Sequence, residues 1–170
     1  MEKKVFLNYE GLMQFSNALE LLNASINEFN KVADKMVPEK LLQEGFLSYL
    51  TEFCHSLEEN SNVKFITRSK IAELGTGEET EIILFRVMRS ILLLLIRNSQ
   101  PLFIYTDLIR TGRFLNIKIE DDGTNIFKLP IFMVSQTIDN IKAMLRTLGG
   151  NLMTDSTAIA GNRIEIEIKL

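Results

Sequence analysis

The chain has 170 residues, enough for about one domain with a helical extension. Hydrophobic residues make up 46% of it, so it can bury a sizeable core, while a net charge of −3 offers no basic footprint for nucleic acid. One cysteine, Cys54, excludes an internal disulfide framework and fits a reducing compartment. With only Cys54 and one histidine, His55, no zinc site of the usual His/Cys kind is expected. Met1-Glu2-Lys3-Lys4 is followed by only a few apolar residues, which does not make a secretory signal. The most apolar run, Ile91 to Ile96, is far shorter than the roughly 20 residues that span a bilayer. A soluble, cytoplasmic protein without a membrane span is expected.

From Tyr9 to about Met36, apolar residues recur at three- and four-residue spacing: Leu12, Phe15, Leu19, Leu22, Ile26 and Phe29. Asn17, Glu20, Asn23, Asn27 and Lys31 take the other side, so one long amphipathic helix is predicted. Its stripe needs a partner surface. That surface is either its own domain or a second chain in a helical bundle. Pro38 ends this helix and starts the next, because the residue before proline disfavours helical angles. The next helix runs from about Glu39 to Glu59, with a weak point at Gly45. His55 falls toward its solvated side, and Cys54 borders its apolar face, where a thiol serves as core.

Val63 to Arg68 reads as a strand and Glu73 to Glu79 as a loop. Glu79 to Asn98 is a helix that is apolar all round in its middle, so it is covered on most sides. Leu102 to Ile109 and Arg113 to Asp121 form a hairpin through Thr111-Gly112. In its second strand Leu115, Ile117 and Ile119 alternate with Asn116, Lys118 and Glu120. Asp121-Asp122-Gly123 then stops the strand. Such a tripeptide is either a plain turn or a carboxylate set beside an unobstructed glycine, an arrangement that suits a nucleotide base. Thr124 to Phe132 is irregular, Val134 to Leu148 is a helix capped by Gly149-Gly150, and Asn151 to Asp155 and Arg163 to Leu170 are the last strands. This order predicts an α+β fold, a mixed sheet with helices on one face. The predicted division is a helical segment over 1–37 and a sandwich domain over 38–170.

That order, with Asp-x-Gly closing a central strand, resembles the ATP-binding domain of sensor histidine kinases, members of the GHKL class of ATPases. Four segments carry the resemblance. Val32 to Glu39, with Leu41-Leu42 and Gly45, is similar to the end of the dimerisation helix in one branch of these kinases. Phe85 to Ser99 stands where the metal-binding helix belongs, and Ile119 to Gly123 resembles the adenine box. Leu148-Gly149-Gly150-Asn151-Leu152, with Ser156 and Gly161, resembles the closing segment. The resemblance implies the GHKL sandwich, a homodimer through the N-terminal helix, and a sensor kinase or response regulator as partner. It assigns Asp121, Gly123, Arg97 and Asn98 to a vestigial nucleotide site.

The departures matter as much. Where the family carries a glutamate and an Mg-binding asparagine, this chain has Ser90 and Leu94. Leucine has no oxygen for Mg²⁺, and serine cannot serve as a carboxylate base. The second glycine of the adenine box is Asn125, the lid segment from Thr124 to Val134 is short, and the closing Gly-Thr is Gly161-Asn162. No phosphoacceptor motif is present: Tyr9-Glu10-Gly11 is its faint echo, without the histidine, and Asp34 stands where the family often has one near Pro38. Three functions follow as expectations. One is a catalytically dead, dimeric interaction module of a two-component pathway that requires no cofactor. Another is a histidine phosphotransferase-like carrier with His55 as its phosphoacceptor candidate. The third is a working ATP-binding histidine kinase.

Overall fold

The computed structural model describes residues 11, 13–18, 21, 39–71, 73–128, 132–155 and 160–170. The chain divides into two units, Met1–Val37 and Pro38–Leu170. Most of the helix predicted for Tyr9 to Met36 lies outside the described residues; within it, Gly11, 13–18 and Leu21 are helical.

The second unit begins with two short helices, α1 (Glu39–Glu44) and α2 (Phe46–Asn60). One continuous helix was expected here, with Gly45 as its weak point. Gly45 instead breaks it, at φ +80°, an angle open to glycine. The opening N–H of α2, on Phe46, donates to a Glu81 carboxylate oxygen 2.9 Å away in the following long helix. That helix, α3 (Glu78–Asn98), carries three glutamates in its first turn, which suits the positive end of the helix dipole. It buries Leu84, Phe85, Val87, Met88, Ile91, Leu92, Leu94 and Leu95 on nearly every side, as its composition predicts. Tyr49 and Phe53 of α2 pack their rings on Phe85, at centroid distances of 4.7 and 5.5 Å.

Among the described residues, five strands complete the unit: β1 (Lys64–Ser69), β2 (Phe103–Thr111), β3 (Phe114–Asp121), β4 (Asn151–Thr154) and β5 (Asn162–Lys169). Helix α4 (Phe132–Thr147) precedes β4. The sheet order is β1-β2-β3-β5-β4, with β1 parallel to β2 and the other pairs antiparallel. The β2–β3 hairpin turns at Gly112-Arg113, with Gly112 at φ +61°. Alternation decides the two faces. Ile104 and Leu108, then Leu115, Ile117 and Ile119, then Ile164, Ile166 and Ile168 are buried with the helices in one core. The intervening residues form the outer face, where Arg68 pairs with Asp107 and Arg163 with Glu120. The predicted α+β architecture is the observed one. No helix among the described residues is long and apolar enough to cross a membrane.

Candidate functional site: a buried polar junction at Asp121

The parity that buries Leu115, Ile117 and Ile119 also turns Asp121 inward, because it is the next residue on the same face. Asp121 as a whole residue is 8% exposed, at the end of an apolar row. A buried carboxyl needs donors. The Ser99 hydroxyl and the Gly123 N–H donate to Oδ1, at 2.6 and 2.8 Å. The Asn162 amide donates to Oδ2 at 2.9 Å. Asp122, the exposed neighbour, accepts the Leu102 and Phe103 N–H groups at 2.8 and 2.9 Å and so fixes the start of β2.

Each donor arrives for a local reason. Helix α3 ends at Ser99, whose N–H still bonds Leu95 O, and Gln100 turns the chain away at φ +52°. Asn162 opens β5 directly opposite Asp121 in the antiparallel register, so the two side chains share the inner face. The Asn162 carboxamide orientation is fixed by its partners. Its oxygen accepts the Ile126 N–H at 2.8 Å. Its nitrogen shares two protons among Asp121 Oδ2, Ser99 Oγ and the Thr124 carbonyl, each at 2.9 Å.

The glycines here allow backbones to approach. A Cβ on Gly123 would overlap Ser99 O and Oγ, and one on Gly161 would overlap Asp121 O. Thr124 N–H donates to Ser99 O, and Gly161 N–H donates to Gly123 O. Asp121-Asp122-Gly123 is therefore a packed junction of α3, β3, the Thr124–Ile126 segment and β5, and no hairpin turn. Ser99 and Asn162 are the two site residues that the sequence reading missed. The signal for Asn162 was present: pairing Ile119 with Ile164 places Asn162 opposite Asp121 two residues on.

Burial pushes the Asp121 carboxyl above its ordinary range, against the lowering effect of the Ser99, Gly123 and Asn162 hydrogen bonds; neighbouring Asp122 raises it further. The folded state then holds this proton more tightly than the unfolded chain. Stability from this group is full below the unfolded pKa, near 3.8, and is lost as pH rises through the folded value. The stability of the wild type minus that of Asp121→Asn is expected to shrink as pH is raised from that point, in urea melts at successive pH values. A difference that grows with pH would reverse the sign.

The other predicted positions do not gather into a catalytic arrangement. Leu94 is 6% exposed and presents hydrocarbon where the resemblance places the Mg-binding asparagine. Ser90 is half-buried, Arg97 is exposed, and the Asn98 amide is spent on Leu94 O at 2.8 Å. Mg²⁺ takes hard oxygen ligands in near-octahedral order, and the Leu94 side chain has no oxygen to offer one. Among the described residues, no group of three or more His, Cys, Asp or Glu is placed to hold a metal ion. His55 stands on α2 with its side chain 75% exposed, and Glu58 lies 3.8 Å from its Nδ1. Cys54 is buried, and desolvation pushes its thiol up to about 12, in keeping with a core role. A cavity of about 460 Å³ lies elsewhere, between α1, the start of α2 and residues 73–81; neither Asp121 nor Asn162 lines it.

The mixed five-stranded sheet with helices on one face is shared in fold with solved histidine kinase catalytic domains. The histidine kinase AdeS of Acinetobacter baumannii superposes with a TM-score of 0.58 at 12% identity, over 97% of this chain and 86% of that one. The EL346 blue-light activated histidine kinase of Erythrobacter litoralis gives 0.58 at 15% identity, over 72% of this chain and 44% of that one. The chain thus spans less than half of that kinase. The catalytic domain of histidine kinase ThkA gives 0.53 at 15% identity, over 73% of this chain and 92% of that domain. At such identities the likeness is one of fold. No protein-family model and no curated sequence matches the chain.

Proposed function

We propose that the chain is a catalytically degenerate histidine kinase-like module, a pseudokinase that works in a two-component pathway by binding other proteins. The observation that carries this reading is Leu94. A buried leucine stands where Mg²⁺ would need an oxygen, and the helix around it is packed as core. The engaged carboxyl of Asp121 supports the same reading, as does the short segment after it, whose Ile126 N–H is tied to Asn162. The fold keeps its shape while the residues for phosphoryl transfer are replaced.

The N-terminal helical segment is the surface through which two copies associate. Its described residues Met13, Phe15 and Leu21 are exposed, apolar area that a second chain would cover. The partners in this reading are a response regulator or a sensor kinase in the cytoplasm. A second reading, a phosphotransferase-like carrier, is favoured by His55, which is open to a partner and has an acid beside it. Incubation with radiolabelled ATP and Mg²⁺ is expected to leave the chain unlabelled. Label acquired directly from ATP would contradict the proposal, while label acquired only from a phosphorylated partner, and lost in His55→Ala, would favour the carrier.

A further inference from the structure

Asp121 and Asn162 form a pair in which a carboxylate oxygen faces an NH₂ group. The exocyclic amino group of adenine is a donor of this type. Here the donor belongs to the chain. Asn162 Nδ2 lies 2.9 Å from Asp121 Oδ2, and both residues are buried, at 4% and 8% exposure. The carboxamide is held further by the Ile126 N–H, which donates to its oxygen, and by the Thr124 carbonyl, which accepts from the same nitrogen. Gly123 does not leave an opening beside it, because the end of α3 occupies the space a side chain would take.

We propose that the Asn162 carboxamide is an internal occupant of the Asp121 carboxyl site, standing in for a base's amino group and shutting the site to adenine nucleotides. This rests on reading the chain as a degenerate kinase-fold module, and it names what closes the pocket. A nucleobase would have to displace a donor that is tethered at high effective concentration. Moving that donor would also leave the buried Ile126 N–H unpaired, at about a tenfold loss of affinity. The same carboxamide pins the segment after β3 to β5, so closure of the base site and tethering of that short segment are one event.

The test uses the full chain, adenosine as probe and the Asn162 side-chain amide as reporter in nuclear magnetic resonance. In the wild type this NH₂ is expected to exchange with solvent at least about 100-fold more slowly than a free amide. It is expected to stay unshifted at millimolar adenosine. Asn162→Thr removes the NH₂ and leaves a shorter hydroxyl, and is expected to bind adenosine at least about tenfold more tightly than the wild type. A freely exchanging Asn162 amide, a wild-type amide that adenosine shifts, or a folded Asn162→Thr with no gain would each overturn the proposal. If Asn162→Thr does not fold, the two wild-type readings decide alone. Phosphoryl transfer by the wild type would overturn the degenerate reading, whereas adenosine binding without transfer would overturn only the role given to Asn162.

Discussion

Gly161→Ala is expected to destabilise the protein by about 3 kcal/mol or more, a large share of the stability of an ordinary domain. Two costs combine. Gly161 sits at φ +73°, where a Cβ costs about 1–2 kcal/mol. The same Cβ would overlap the carbonyl oxygen of Asp121, so β3 or β5 must move at the point where their side chains are hydrogen-bonded. Gly149→Ala is the control. Gly149 has a similar φ of +63°, but nothing lies within 4 Å of its missing Cβ. It should show only the conformational cost, about 1–2 kcal/mol. Urea melts of the two variants measure the difference, which is the free energy of packing at the junction. Equal losses would mean that Asp121 and Gly161 are not in close contact.

Leu94→Asn restores the residue type that the kinase resemblance assigns to the metal, and it is expected to restore nothing. It removes a leucine that is 6% exposed, a loss of about 2–3 kcal/mol for burial of its side chain. It also places an amide among α3's apolar neighbours, at about 1–3 kcal/mol if that amide stays unpaired. The two together come to about 3–6 kcal/mol of destabilisation, read from the urea midpoint. Leu94→Met keeps the volume and should cost under about 1.5 kcal/mol. A stable Leu94→Asn that binds Mg-ATP would show that this position still faces a usable site.

Much of the fold was legible because local periodicity determined it. The alternation of Leu115, Ile117 and Ile119 identified β3 and its buried face, and the unbroken run Ile91 to Ile96 marked a helix covered on most sides. The break at Gly45 was legible only as a weakness. Its depth depends on Glu81, which stabilises a new helix start at Phe46, 35 residues earlier in the chain. The site was legible in part. Asp121 stood out by type and place, but its surroundings come from Ser99 and Asn162, 22 and 41 residues away. No local pattern announces such partners, although the strand register predicts one of them once the pairing of β3 with β5 is known. Gly123 shows the same limit. A glycine beside a carboxylate reads equally as room for a base or as room for the chain's own backbone, and only the approach of α3 distinguishes the two.

The most direct test of the degenerate reading is calorimetric titration of the full chain with Mg-ATP, with Asp121→Asn alongside. No saturable heat is expected up to millimolar nucleotide from either protein. Stoichiometric binding by the wild type with a dissociation constant below about 100 μM, abolished by Asp121→Asn, would contradict it, because Asp121 would then be reaching a base in place of Asn162.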